Sequence, residues 1–359
     1  MRVFKNLVLK GGGVRGIAYL GALEVLDKHG ILASIERVAG TSVGAISALI
    51  ISLFPSFKEI KAVADTLEYR KIPSEGLKKE IKEENKKQVK QFLSNIRPLK
   101  VNLQSVKRLL LNYGWYSSDY IYHWLRKVIA SQFAVKKPLY TFADFINSSI
   151  HKDKQKFKEL YITGTDVSKR CGRVFSYETT PDMEVAYAIR ISMSIPFFFE
   201  SIPYRYPSDK EDHFWADGGI MWDFPIGIFD TPKYTKKIKH GINKETLGLF
   251  LYTSPEKKVY DAINNLIDYV NSVFDSLLLV QEHLYFHEER HRNRVIFIDD
   301  LGVSFKNFGI SYGDETYWKL YKSGYAAAEN FINGLSYFKK RFYRIKKMNN
   351  PIINGLAKS

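Results

Sequence analysis

The 359-residue chain has a single cysteine, Cys171, so it forms no intramolecular disulfide and asks for no oxidising compartment. It also lacks a long apolar run. The longest, Ala45 to Phe54, falls well short of the roughly 20 residues a membrane-spanning helix needs. The apolar start Leu7-Val8-Leu9 is cut by Lys10 and three glycines, too short for a signal peptide. Twelve scattered prolines, no internal repeat and no low-complexity segment exclude fibrous, solenoid and disordered classes. Acidic residues are the minority, 38 against 54 Lys plus Arg, leaving +16. Such an excess favours anionic partners. No RNP, zinc-knuckle or helix-turn-helix signature accompanies it, so no nucleic-acid partner is expected. Basic residues crowd Arg70 to Arg108 and Lys339 to Lys347, where a solvated helix face and a tail are the plain explanations. The expected setting is cytoplasmic, with peripheral contact to an anionic membrane surface; a secreted effector without a signal peptide fits the same features.

What is present reads as an α/β enzyme. Arg2 to Lys10 forms a strand, Ile17 to His29 an amphipathic helix stopped by Gly30, Arg37 to Ala39 a second strand, and Ser42 to Leu53 a buried helix ended by Pro55. That β-α-β-α start sets up a parallel sheet. Residues 58–136 read as a helical, Lys-rich insertion or lid. Glu159 to Thr165 and Arg173 to Glu178 are strand-like, Val185 to Ser194 is helical, and the short strand Phe214 to Ala216 runs into Asp217. A long amphipathic helix is expected from Lys257 to Arg292, a strand from Arg294 to Ile298, and a closing helix from Asp314 to Ile332. The division expected is one catalytic domain over 1–335 and a basic tail over 336–359.

Two glycine-rich turns carry the chemistry. Gly40-Thr41-Ser42-Val43-Gly44 is a G-x-S-x-G run between strand and helix, the setting of a nucleophile elbow. Gly11-Gly12-Gly13-Val14-Arg15-Gly16 ends the first strand, one β-α-β unit earlier. Both turns then emerge at the carboxyl ends of parallel strands, where open α/β sheets place their sites. Backbone N–H groups around Gly12, Gly13 and Val14 would face the carbonyl attacked by Ser42, with Arg15 adding charge or bracing the loop. The same glycines satisfy the dinucleotide pattern G-x-G-x-x-G. That use needs an acidic residue at the end of the second strand, where Gly40 and Ser42 stand instead. For a base, Asp217-Gly218-Gly219 is the candidate, its glycines letting the carboxylate turn inward. Asp166 and His213 are nearby rivals, read as a turn residue and an exposed loop residue.

In this order GGGVRG, GTSVGA and ADGG resemble the patatin-like phospholipases, as does IRISMSIPFFF at 189–199. The resemblance covers residues 5 to 333 and is weakest over 58–136. It implies a three-layer α/β/α sandwich around a mainly parallel sheet. It also implies a Ser42-Asp217 dyad with Gly12, Gly13, Val14 and Arg15 as oxyanion loop, Gly40 and Gly44 framing the elbow, and Gly218 and Gly219 completing the DGG. The substrate implied is a phospholipid or other glycerolipid, with no cofactor and no metal. One departure is Asp223, where the family commonly carries Asn.

Two other classes compete. His287-Glu288-Glu289-Arg290-His291 fits the zinc-protease pattern H-E-x-x-H on an expected helix, yet Glu289 and Arg290 occupy positions that should be apolar in a cleft floor. A charged, solvated helix end explains those letters. The third possibility is a lipid-binding or regulatory protein on a catalytically idle scaffold.

Overall fold

A computed structural model describes residues 3–74, 103–236, 238–257, 262–264, 266–287 and 289–334. The strands of the main sheet are β1 (Asn6–Leu9), β2 (Arg37–Gly40), β3 (Glu159–Asp166), β4 (Cys171–Ser176), β5 (Ile202–Tyr204), β6 (His213–Asp217), β7 (Thr246–Tyr252) and β8 (Val295–Asp299). Their order is β8-β7-β1-β2-β3-β6-β5, with β4 also pairing β3. The five from β8 to β3 run parallel; β4 and β6 join β3 antiparallel, and β5 joins β6 antiparallel. Parallel strands covered on both faces read as continuous apolar runs, and β1 and β7 are buried at every residue.

Alternation along the strands splits the core in two. Leu7, Leu9, Val38, Leu249 and Leu251 face the larger cluster, with α1 (Ile17–Lys28), α2 (Val43–Leu53), α4 (Val185–Ser192) and α7 (Glu315–Ile332). Val8, Ala39, Tyr161 and Phe250 face the smaller cluster, covered by Phe224, Ile226, Phe229 and Tyr285. Helices α1 and α7 pack so closely that a side chain at Gly21 or Gly324 would strike the opposing backbone.

Element ends differ from expectation by at most two residues, except that β1 begins at Asn6 rather than Arg2 and the long helix is shorter. α6 runs Leu266–His287, and 3-10 turns at Pro255–Lys257 and Glu289–Arg294 replace its expected ends. The described ends of the 58–136 segment pack on the core. α3 (Phe57–Ala64) buries Ile60, and a helix at Asp119–Ser131 buries Ile121, Trp124 and Leu125, all in the larger cluster. The Lys-rich centre of that segment, residues 75–102, and the tail 336–359 lie outside the described residues.

Register fixes the site. Leu9 pairs Gly40, Gly40 pairs Ile162, and Gly164 pairs Asp217. Asp217 therefore stands two residues beyond the level of Gly40, which is the level of Ser42.

Candidate active site

Ser42 occupies the turn from β2 into α2 at φ 54° and ψ −122°, a conformation an L-residue adopts only where the surroundings enforce it. A side chain at Gly40 would collide with the Gly44 backbone, and one at Gly44 with the carbonyls of Leu9 and Lys10. The elbow thus requires both glycines. The Ser42 N–H donates to Ser192 Oγ at 2.9 Å, and its carbonyl accepts from Ala45 and Ile46 to open α2. Ser192 lies in the 189–199 block, but no residue-level argument had singled it out.

The Asp217 carboxyl ends β6 and is fully enclosed. Its backbone N–H donates to Ser194 O at 2.8 Å, and its carbonyl accepts from Thr165 Oγ1 at 2.9 Å. Oδ1 accepts from the Gly219 N–H at 2.7 Å, while buried Oδ2 has no conventional hydrogen-bond partner. Burial pushes the carboxyl up to about 8; the Gly219 N–H and the Ser42 side chain pull it down, and the charge of Asp223 adds to the rise. The Ser42 side chain is thus among the groups that favour the carboxylate form of Asp217. A side chain at Gly218 would meet Thr163, and one at Gly219 the Asp217 carboxyl. α5 (Gly219–Trp222) starts there, and the Gln281 amide of α6 holds it, donating to Gly219 O at 2.7 Å and accepting from the Asp223 N–H at 3.0 Å.

The glycine loop leads from β1 into a 3-10 turn, Gly13–Gly16, running into α1. Gly13 has φ +58°, and a side chain there would strike Phe305 O. The Val14 N–H donates to that same carbonyl at 3.1 Å, and the Gly11 N–H to Asp223 O at 3.0 Å. Among the described residues only the Gly12 and Gly13 amides of Gly11–Val14 carry no partner, so Val14 is removed from the oxyanion set: its donor is already used. Arg15 braces. Its Nε donates to Gly12 O at 2.9 Å and its Nη1 meets Asp300 Oδ2 at 2.6 Å. Burial opposes the charge on Arg15, but Asp300, Glu282, Asp223 and Asp275 outweigh it and hold the guanidinium above its ordinary pKa. A built Cβ at Gly11 lies 3.5 Å from Ser42 Cβ, so loop and elbow are in contact.

The rival residues pair with each other instead. His213 begins β6 rather than lying in an exposed loop, and its Nδ1 is 2.8 Å from Asp166 Oδ2. Asp166 Oδ1 also accepts from the Lys169 N–H at 2.9 Å, the turn role expected of it.

The H-E-x-x-H letters do not share one α-helix, because α6 ends at His287 and the 3-10 turn begins at Glu289. Glu288 lies outside the described residues. His291 is buried, not solvated. Its Nδ1 is 2.9 Å from Arg294 Nη2, and Arg294 forks onto both Asp230 oxygens at 2.6 Å. A guanidinium already occupies the His291 ring nitrogen.

Comparison with known proteins bears on the family and the fold. The chain is similar to Bacillus subtilis YqhO, 28% identical over 299 residues, covering 82% of this chain and 87% of that protein. It is 26% identical over 230 residues to the probable lipid hydrolase 463L of Invertebrate iridescent virus 6, covering 63% of each. The fold matches that of VipD from Legionella pneumophila with TM-score 0.53 at 19% identity, covering 92% of this chain and 67% of that one. The model of the patatin-like phospholipase family matches residues 7–230, spanning the glycine loop, the elbow and the DGG turn, and the chain belongs to that family.

Proposed function

We propose that the chain is a serine lipid acyl hydrolase of the phospholipase A or lysophospholipase type, acting through Ser42 and Asp217. The observation that carries this is the meeting of three features at one level of the sheet. These are a strained serine, a buried carboxyl with an unoccupied oxygen, and two unengaged glycine amides. Asp217 accepts the Ser42 proton as Oγ bonds to the ester carbonyl carbon, and the Gly12 and Gly13 amides receive the developing oxyanion. Collapse of that intermediate breaks the bond to the glycerol oxygen, which leaves with the proton from Asp217. Water then attacks the acyl-enzyme, giving its proton to Asp217, and the proton returns to Ser42 as the fatty acid departs. No metal enters these steps.

Access to lipid is supported by α6. On its inner face Phe274 is buried and Leu278 and Gln281 lie against the DGG turn, while Tyr269, Val273, Leu277, Val280 and Leu284 are exposed. Their spacing of four, four, three and four residues makes one stripe. In the aromatic run 197–199, Phe197 is exposed, whereas Phe198 and Phe199 are buried. Among the described residues no helix is long and apolar enough to cross a membrane, so contact through this stripe is with the surface.

The deciding experiment measures fatty-acid release from phospholipid and labelling by a fluorophosphonate for the parent, Ser42→Ala and Asp217→Asn. Loss of labelling in S42A and a loss of release of at least about 10³-fold in both variants are expected. Equal release from all three removes the mechanism.

A further inference from the structure

Below the dyad lies an ion pair that the reaction steps do not use. Lys10, the last residue before the glycine loop, is 2% exposed, and its Nζ is 3.0 Å from Asp223 Oδ2 and 3.7 Å from Glu282 Oε2. Burying a lysine is costly unless it is paired. Asp223 is itself buried and points toward the base: a Cβ at Gly219 would be 2.9 Å from Asp217 Oδ1 and 3.1 Å from Asp223 Oδ1, so both carboxyls converge on one point.

We propose that Lys10 is a positioning residue for the Ser42-Asp217 site: its ammonium offsets the Asp223 charge and lets two buried carboxylates stand side by side. This rests on reading Asp217 as the base. Two like charges in such proximity cannot both ionise readily without a cation. Arg15 acts on Asp223 only through space, because its guanidinium hydrogen-bonds to Asp300 and to Gly12 O. From α6, Glu282 adds a further negative charge facing Lys10, and Asp275 acts on Arg15. From α1, the Tyr19 hydroxyl donates to Lys10 O at 2.6 Å; burial, with Asp223 adding to it, holds that phenol protonated. Lys10 is therefore the one cation in ion-pair contact with Asp223 among the described residues, while Arg15 acts on it from farther away. The Lys10 ammonium also lies over the ring of Phe250 on β7, 5.1 Å from Nζ to the centroid, which keeps the charge against the sheet.

Asp223 also shapes the loop, since its carbonyl accepts the Gly11 N–H. Its backbone is untouched by Asp223→Asn, which removes the charge at constant shape and leaves Lys10 beside Glu282. Lys10→Met alone would strand the Asp223 carboxylate and endanger folding, so the pair is removed together in Lys10→Met/Asp223→Asn. Two readouts are compared: the acid limb of kcat/KM, and the titration midpoint of the Asp217 carboxyl by carbon-13 NMR of Asp-labelled protein, assigned with D217N. Both are expected to report the Asp217 carboxyl, raised to about 8 in the parent. D223N is expected to lower both by roughly one pH unit or more, because the Asp223 charge that raises the Asp217 carboxyl is then gone while the Lys10 cation stays. The double variant is expected to return them toward the parent. Midpoints that ignore D223N, or a double variant that tracks D223N instead of the parent, overturn the proposal. The two readings separate cleanly. A midpoint that moves in a protein with no esterase activity supports the charge pairing and removes the catalytic reading. An active enzyme whose limb and midpoint stay fixed does the reverse.

Discussion

The conformation of Gly13 and the burial of Asp217 each give a measurable consequence at a single residue. At Gly13 a side chain meets both a left-handed backbone and the Phe305 carbonyl, whereas Gly30, at φ +69°, has open space where a Cβ would go. Gly13→Ala should therefore displace the loop and lower kcat about 10²- to 10³-fold, the scale of losing an oxyanion donor. Gly30→Ala should cost about 1 kcal/mol of stability and leave kcat alone. Equal kcat in both variants would remove the Gly12–Gly13 amides from the mechanism. Asp217, raised by burial to about 8, is protonated in the fold over a range where the unfolded chain has already ionised it. The sign follows directly. The unfolded state binds fewer protons between about pH 4 and pH 8, so this group's contribution to stability is complete below that window and falls by roughly 1.4 kcal/mol per pH unit across it. Asp217→Asn lacks that slope. Denaturant melts of parent and variant should diverge in the variant's favour as pH rises from 4 to 8, and parallel curves would show that the carboxyl is not held neutral.

Among the elements, those written in local pattern were legible and those made by distant partners were not. The first four followed from apolar runs closed by Gly30 and Pro55, and the G-x-S-x-G and DGG turns placed Ser42 and Asp217 at strand ends before any coordinates. The strand Gly114–Tyr116, paired with Phe197–Phe199, is three residues long, too short to display a period. The antiparallel sense of β6, which turns Asp217 back toward Ser42, depends on a register with β3 that only the fold reveals. The ion pairs of buried Lys10 and Arg294 were not legible, because their counter-ions Asp223 and Asp230 come from far along the chain. Helix α6 was seen as amphipathic, but its exposed apolar stripe was hidden within the count of apolar residues. Replacing Val280 and Leu284, 61% and 65% exposed, by Glu tests that stripe. Each loses a contact on the order of 1–2 kcal/mol with an apolar interface, so vesicle binding should fall at least about tenfold. Hydrolysis of a short water-soluble ester should not change, since neither side chain faces the dyad. Unaltered vesicle binding in V280E/L284E would assign lipid contact to another surface.

Over the whole molecule charge is arranged in two opposite ways. Around the dyad, Asp217, Asp223, Glu282 and Asp300 outnumber Lys10 and Arg15, while the complete chain carries +16. The acidic interior acts at contact distance and is shielded from salt by burial, whereas the cationic excess acts through solvent and is screened beyond about 8 Å at physiological ionic strength. The two should therefore separate in a salt titration. Attraction to an anionic bilayer is on the order of 1 kcal/mol per Lys or Arg held near the surface, so a handful of such residues dominates binding at low salt. Raising salt from about 50 mM to about 500 mM should weaken association with anionic vesicles at least roughly tenfold. Turnover of a soluble ester, which depends on the buried groups, should change by less than about twofold over that range. Binding to uncharged vesicles isolates the apolar stripe of α6 and should be nearly indifferent to salt. If anionic and uncharged vesicles bind equally well at low salt, the net charge plays no part in bringing this enzyme to lipid, and the stripe alone must do so.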